Sequence, residues 1–580
     1  MNRLKLIRYA HVFVALLILM SPASAAEVLH ELVERSELNG GLLLVPRFSD
    51  AQATLALAEK TPFTVVACSA EPQRVRSLRE GAAAPGLLAK RLYAEQMPDS
   101  TSPLADNSVS LLLVDDLVEP DLTPARHKAW LGAISPRRGV AIVGNREAAK
   151  LDGRKLLDWA SAQGAQAETL DVPGSTFVLF RKPAPAGSDV WTHRFHDPSN
   201  QRTSRDTTLK PPFGPAWYAL PTNLGYRGDI MVSAGGRGYY IWANRHFNTS
   251  VSLICFDIHN GLKLWEQPFK WDKPRDRNRA GYYAGRSCMV ALPDGLLLVD
   301  EDRLVILDGE SGRELRAFEG PKPGGQIKWL AVEGDLVAVL GGEPDGYKTG
   351  TLQQIATNPH GTELAVYQIS DGTLAWSRTE PALIDERELA IFDAKLYAHT
   401  RGQWMACSDL ATGEVLWKNS DPELLKLLGE ELTGPYMSIS YRILVATPEV
   451  LYFAAAIRAN RVVMDRSDGT LLWAENVGKT RLSLNDVIIG DAVVRDKTKS
   501  PVDLKTKEAL EAIKVPRDGC GPPFASTELL ISQFGTVRSL SGELLRRGDL
   551  KAPCDLGVVI ADGVAFSPPS SCRGNVEIHG

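Results

Sequence analysis

The chain has 580 residues, 44% hydrophobic and 23% charged, and its 65 basic and 70 acidic side chains leave a net charge of −5. That is the composition of a globular protein with room for two or three domains. It has no basic run and no interleaving of aromatic with cationic residues of the kind a phosphate backbone demands, so a nucleic-acid partner is not expected.

At the N-terminus, Arg3, Lys5 and Arg8 precede the apolar run Val12 to Met20, and Ala23-Ser24-Ala25 follows. A basic region, an apolar core and an A-x-A site describe a secretory signal over residues 1–25, cut near Ala25 or Ala26. The run is short for a membrane span, and no later stretch is long and apolar enough to cross a bilayer. The mature protein is therefore expected to be periplasmic or secreted, with no transmembrane segment. Export permits disulfides. Cys520, Cys554 and Cys572 cluster near the end of the chain, and Cys554 to Cys572 is the candidate bridge. Cys68, Cys255, Cys288 and Cys407 lie in apolar runs and read as small buried side chains. No C-x-x-C or close Cys/His spacing offers a metal site.

Residues 27–181 alternate apolar runs with helical patterns. The runs are Gly41 to Val45, Phe63 to Ala67, Val109 to Val114, Gly139 to Val143 and Phe177 to Phe180. Helices are expected over Asp50 to Lys60, Glu71 to Glu80, Pro124 to Ile134 and Arg154 to Gly164. Strands alternating with helices predict a doubly wound, Rossmann-like parallel sheet. Asp115 and Asp116 end the central strand, where such sheets bind ligands; they read either as a metal or amine site or as loop charge and helix caps.

The stretch Ala105-Asp106-Asn107-Ser108-Val109-Ser110-Leu111-Leu112 resembles the strand entry of class I SAM-dependent methyltransferases. Ser135-Pro136-Arg137-Arg138-Gly139-Val140 is similar to their P-G-G turn. The cofactor motifs that this resemblance implies have decayed. The glycine-rich loop is replaced by Val45-Pro46-Arg47-Phe48-Ser49-Asp50, which denies backbone approach, and Ser69 stands where an acidic residue would hold the ribose, with Glu71 nearby. The segment is expected to be a degenerate methyltransferase-like domain; SAM-dependent methyl transfer is the second alternative function.

Residues 182–190 read as a Pro/Ala linker. The lead-in that follows, Trp191 to Asp206, contains His193, His196 and Asp197, chemically suited to a metal but without a third spaced ligand, so packing is expected there. Trp191 is expected to fill a gap between the domains.

From residue 191 to 580 one phrase recurs. Its clear copies are Asp257…Gly261…Trp265, Asp409…Gly413…Trp417 and Asp465…Gly469…Trp473, each D-x-x-x-G-x-x-L-W. Worn copies are Asp308…Gly312 with Arg316 in the Trp place, Gln368…Gly372…Trp376, Asp503…Lys507 with the glycine lost, and Gly542 with Leu544-Leu545. Steps of roughly 35 to 60 residues signal a propeller or solenoid, and the flanking β-rich runs favour the propeller. The phrase predicts a hairpin turn in which the Asp caps turn amides, the Gly supplies positive φ and the Trp packs between blades.

The phrase resembles the PQQ-like β-propeller repeat of quinoprotein dehydrogenases and of non-catalytic scaffolds. The resemblance implies seven or eight four-stranded blades. For a quinoprotein it also implies PQQ with calcium, but no Cys-Cys pair and no C-x-x-C-H is present. Asp300-Glu301-Asp302 reads as a calcium cluster or a charged hairpin tip. The insertion Gly341 to His360 and a short helix within Asp421 to Gly434 are candidate recognition loops. The expected function is thus an exported binding or scaffold module for a protein or cell-envelope partner. No catalytic residue, metal ligand or cofactor is assigned, and a PQQ-dependent dehydrogenase is the first alternative.

Overall fold

Leu111–Val114 is buried at every position, as a strand covered on both faces must be, and it lies at the centre of a seven-stranded sheet. In the computed structural model the chain divides into two units, residues 1–183 and 184–580. The structure describes residues 24–98, 101–219, 226–244, 251–268, 287–300, 302–343, 360–429, 443–454, 460–476, 486–494, 501–511, 524–532, 535–546, 558–567 and 578–579. The signal segment up to residue 23, Glu301, the insertion between Glu343 and His360, and Cys520, Cys554 and Cys572 lie outside them.

The first unit runs α1 (Ala25–Arg35), β1 (Leu42–Val45), α2 (Ala51–Lys60), β2 (Thr64–Ser69), α3 (Pro72–Ala83), β3 (Leu92–Gln96), β4 (Leu111–Val114), α4 (Pro124–Ala133), β5 (Val140–Asn145), α5 (Gly153–Ala160), β6 (Gln166–Leu170) and β7 (Thr176–Arg181). The sheet order is β3-β2-β1-β4-β5-β7-β6, with β7 antiparallel to both its neighbours and the other pairings parallel. Crossover connections of this length need helices, and the helices cover both faces. Leu32, Leu57 and Leu78 pack on one side and Trp130, Leu131 and Leu156 on the other. Asp50, Thr123 and Asp152 start α2, α4 and α5 by accepting from first-turn amides. The order reverses between β1 and β4, which puts the sheet's switch point at the loops after those strands.

The second unit is built of small antiparallel sheets, as in a propeller. Two are four-stranded, Tyr226–Ala234 to Lys263–Pro268 and Met289–Leu292 to Glu314–Glu319. The next two are fused into seven strands through the nineteen-residue strand Leu374–Phe392, whose two halves serve successive repeats. After them come a four-stranded sheet from Ile443–Ala446 to Leu471–Asn476, a three-stranded one from Val487–Ile489, one from Phe524–Ser526 to Leu544–Arg546, and the pair Val559–Ala561 and Val564–Phe566. Ile578–His579 pairs with Tyr218–Ala219, so the last described strand of the unit meets one of its first. Apolar cores form between successive sheets. Leu444 and Phe453 share a cluster with Tyr397 and Cys407 of the sheet before, and Val445 and Tyr452 share one with Ile488 and Val493 of the sheet after.

Candidate functional site

The repeated phrase forms the turn between the third and fourth strands of each sheet. At Asp409, Oδ1 accepts from the amides of Ala411 (3.1 Å) and Thr412 (2.8 Å), and the Gly413 amide closes the turn on the Asp409 carbonyl at 3.0 Å. Those donors, Thr412 foremost, hold the Asp409 carboxyl below its usual range. Gly413 (φ 74°) and Gly469 (φ 75°) occupy the left-handed region that favours glycine. The tryptophans reach across to the next turn. Trp265 donates its indole N–H to Gly309 O (3.0 Å), Trp376 to Leu410 O (2.9 Å), Trp417 to Arg466 O (3.2 Å) and Trp473 to Leu504 O (2.8 Å). Each acceptor directly follows the Asp of its turn, here Asp308, Asp409, Asp465 and Asp503. The first three rings also lie over the turn's glycine: a Cβ on Gly312 would stand 2.8 Å from Trp265, on Gly413 2.6 Å from Trp376 and on Gly469 2.4 Å from Trp417. Trp217, which no phrase precedes, does the same for the first turn, donating to Ile258 O at 2.8 Å over Gly261.

In the worn copies other residues divide these tasks. Arg316, in the Trp place, donates to Ile369 O at 2.9 Å, the carbonyl after Gln368, while the Phe318 ring faces Gly372. Lys507, in the glycine place, holds φ 64° and sets its ammonium 5.1 Å from the centre of the Trp473 ring.

The lead-in is the functional segment whose course the sequence did not reveal. Trp191, expected between the domains, is 1% exposed and packs instead inside the second unit, against Phe524, Met231 and Phe256. From there the chain touches the first strand of one sheet unit after another. Trp191 exchanges backbone hydrogen bonds with Ser233, Ala291 N donates to Thr192 O (2.9 Å), and Val332 N donates to His193 Nε2 (2.9 Å). Ile391 N donates to Pro198 O (2.9 Å) and Ala446 N to Ser199 O (3.0 Å), while Asn200 Nδ2 reaches both Leu389 O and Leu444 O at 2.9 Å. Thr203 Oγ1 donates to Ile488 O, and Thr203–Ser204 adds a parallel strand to Ala525 and Ser526. Finally Asp562 N, just past Val559–Ala561, donates to Asp189 O at 2.9 Å. All eight contacts fall at the end of the first strand that leads into the first hairpin.

This strap closes on itself. Asp189 Oδ2 accepts from Arg205 N and from His196 Nε2, both at 2.6 Å, and His196 Nδ1 faces Asp197 Oδ2 at 3.4 Å. Burial opposes a charge on His196, but the carboxylates of Asp189 and Asp197 outweigh it and raise the imidazole to about 9. His193 is the reverse case: burial, with the charged His196 nearby, pushes it down to about 3, and its Nε2 serves as an acceptor. Both rings are thus engaged inside the strap and the sheets, so this constellation packs the lead-in and is not arranged around a metal.

A second buried cluster lies in the long strand Leu374–Phe392. Asp385 accepts from Arg387 (2.6 Å through Nε) and from Arg401 (2.6 Å); Glu388 accepts from Arg401 (3.4 Å) and pairs with His399 Nδ1 (2.8 Å). Burial would raise the Asp385 carboxyl, yet Arg387 and Arg401 hold it well below the usual range. These carboxylates do not suit calcium, because two guanidinium charges already occupy them. Asp300, the other candidate, pairs with Arg303 at 3.1 Å on a hairpin tip. Among the described residues no group of three or more His, Cys, Asp and Glu is arranged to hold a metal.

At the first unit's switch point, Arg47 from the loop after β1 donates to Asp116 Oδ1 and Asp121 Oδ2, each at 2.9 Å, and to the Asp116 carbonyl. Arg146 pairs with Asp115 at 3.0 Å. Burial, the main influence, raises Asp115 in spite of that partner. Ser69 Oγ accepts from Glu71 N at 3.2 Å, and Glu71 pairs with Arg74. The loops that would have to open around SAM are therefore cross-tied by Arg47, and the residues present do not fit that cofactor. Cys68, Cys255 and Cys407 are buried and Cys288 half-buried.

Residues 249–423 and 317–505 match the family model described as outer membrane protein assembly factor BamB, less than half of the chain. The repeats are of the PQQ-like propeller type. Among solved structures, the chain is similar to BamB from Moraxella catarrhalis, at 14% identity over 62% of this chain and 92% of that one, with a TM-score of 0.32. It is similar also to the quinohemoprotein alcohol dehydrogenase of Comamonas testosteroni, at 12% identity over 67% and 80% of the two chains, TM-score 0.42. The third is a putative SAM-dependent methyltransferase from Methanococcus maripaludis, at 14% identity over 27% of this chain and 84% of that one, TM-score 0.23. At these TM-scores the three likenesses carry no argument. No curated protein matches the chain. Among the described residues, no helix is long and apolar enough to cross a membrane.

Proposed function

We propose that the chain is an exported binding or scaffold protein without catalysis of its own. A signal over residues 1–25 is removed, a degenerate methyltransferase-like domain (27–181) and a linker (182–190) follow, and the remainder is an eight-bladed PQQ-like propeller. The eight first strands that the strap ties support that blade count over seven. The partner is a protein or another component of the cell envelope, in keeping with the assembly-factor family that the repeats match.

The observation that carries this reading is the strap itself: the first strands are tied at one end by the protein's own lead-in, through backbone and side chains alike. At that end the polar groups of the strands are spent on Asp189 to Asp206, which leaves the opposite ends of the strands to a partner. The candidate carboxylates elsewhere are held by arginines, which supports the same reading.

Native mass spectrometry of the mature protein taken from its own periplasm tests the proposal. The expected species are the bare chain beginning near Ala26 and a stoichiometric complex with a second polypeptide. A bound mass of PQQ with calcium, or of SAM, would overturn it and make turnover assays the next step.

A further inference from the structure

The strap spreads its hydrogen bonds over eight first strands, with no more than a few to any one of them. It begins and ends at the same place, since Asp189 accepts from Arg205 N and its own amide faces Asp206 Oδ2 at 3.3 Å. Asp206 then anchors the exit, accepting from Thr208 N (2.7 Å), Leu209 N (3.1 Å) and, across to the last sheet, Gly563 N (2.9 Å). Within the loop, His196 (φ 83°), Asn200 (φ 66°) and Arg202 (φ 61°) all hold the left-handed conformation that non-glycine residues avoid. Three such residues in seven positions do not curl this way alone; surrounding bonds must impose the conformation. Arg194 and Arg202 stand 4.6 and 4.3 Å from the Phe195 ring centre, Phe195 itself packs on the core of Val445, Tyr452 and Ile488, and His196 lies against Trp191 at 5.2 Å.

We propose that residues 189–206 are a single cooperative latch that closes the propeller ring, so that the eight first-strand ends are held together or released together. A flat ring of sheets opens most easily where one sheet parts from the next. The pairing of Ile578–His579 with Tyr218–Ala219 resists this at one seam only. The latch resists it at every seam, because its bonds reach one sheet after another and the loop that carries them is shut by Asp189. Asn200 shows the principle locally: one amide group binds Leu389 O and Leu444 O, on two successive sheets. The inference goes beyond the scaffold reading and stands whether or not a cofactor is found. It also directs any binding toward the opposite ends of these strands, since the latch occupies this one.

Hydrogen exchange on the full-length mature chain tests it. The amides of Ala291, Ile391 and Ala446 donate to strap carbonyls, whereas those of Gly413 and Gly469 close repeat turns. In Asp189→Ala, which removes the closing acceptor, the first three are expected to lose protection together, each by at least tenfold, with the two glycines unchanged. Asn200→Ala, placed far from Asp189 along the strap, is expected to expose the same three. If either folded variant changes only amides beside its own substitution, the strap is a set of independent contacts and the proposal falls. Should Asp189→Ala fail to fold, Asn200→Ala decides the question by the same two outcomes.

Discussion

The indole N–H of Trp417 donates to the carbonyl of Arg466 at 3.2 Å, and its ring covers Gly469 in the same turn. One side chain therefore makes both a polar and a packing contact with the next sheet, and the glycine is needed twice, for its positive φ and for the absence of a Cβ. Trp417→Ala is expected to cost about 3 kcal/mol, the lower end of the range for large aromatics because the ring is half-buried. Gly469→Ala should cost at least the ~1–2 kcal/mol of the left-handed region, with more from the 2.4 Å approach to the ring. Urea unfolding of the two variants and their double mutant checks this: the double should fall short of the sum, because both remove the same contact.

The worn repeat at Gln368 allows a finer prediction. Arg316 takes over the bond to Ile369 O and Phe318 the contact with Gly372. Arg316→Ala should cost less than about 1 kcal/mol, as an exposed group losing a hydrogen bond, and Phe318→Ala should cost more, as lost packing. Changing Phe318 to Ala while placing Trp at 316 is expected to recover most of the loss, measured as the shift in unfolding midpoint.

The repeats were legible because a turn needs particular residues at fixed offsets, so Asp409, Gly413 and Trp417 survive as a phrase. The tasks of the worn copies were not, since Arg316 and Phe318 share one role by geometry alone. Trp217 stands alone in the sequence and could be found only through the turn it meets. In the first unit the buried strands showed as apolar runs. The half-exposed edge strands β3 and β6 did not, because Leu92–Gln96 and Gln166–Leu170 bury too few positions to leave a pattern. The strap left no periodic signal at all: its bonds, from backbone and side chains both, run to partners far away in sequence, although its density of His, Asp and Arg marked it as unusual.

The two histidines of the strap give it opposite pH dependences. His196 is held at about 9 against about 6.5 when unfolded, so its stabilisation is complete below 6.5 and is lost as pH rises through 9. His193 is held at about 3, so the unfolded chain gains a proton first as pH falls below 6.5, and stability declines from there down to 3. Each slope is about 1.4 kcal/mol per pH unit. The lowered carboxyls of Asp189 and Asp197 add stability present above about 3.8 and lost in acid, and Arg205 lies 3.2 Å from Asp197. Stability should peak near pH 6.5. His196→Gln should flatten the alkaline limb and His193→Gln the acid one, as read from thermal midpoints across pH 5 to 9.5.

At the switch point of the first unit, Arg47→Ala removes the cation shared by Asp116 and Asp121 and leaves Asp121 paired with Arg126 alone, at 3.0 Å. Because these groups are partly exposed, the expected loss is about 1–3 kcal/mol, within the range for hydrogen bonds to charged groups. The loss should appear in the transition of the first unit and leave that of the propeller in place, as calorimetry would show. On the proposed reading of the first unit as degenerate, calorimetric titration with SAM should give no binding heat before or after the change.

The ionic cluster in Leu374–Phe392 separates a structural from a calcium-dependent role. Asp385 is fully buried and accepts from both Arg387 and Arg401, so Asp385→Asn leaves Arg387 without its carboxylate and Arg401 with only the 3.4 Å contact to Glu388. Breaking a buried pair on one side costs about 3–5 kcal/mol, because the remaining charge stays desolvated. If the cluster is an internal ion network, Asp385→Asn should lower the thermal midpoint strongly, and a chelator should leave that of the wild type unchanged. Had a calcium ion been the partner, the chelator would destabilise the wild type toward the variant, and added calcium would restore it. The arrangement of Arg401 between Asp385 and Glu388 predicts the first result, since a cation seated between those carboxylates would have to displace the guanidinium already bonded to both.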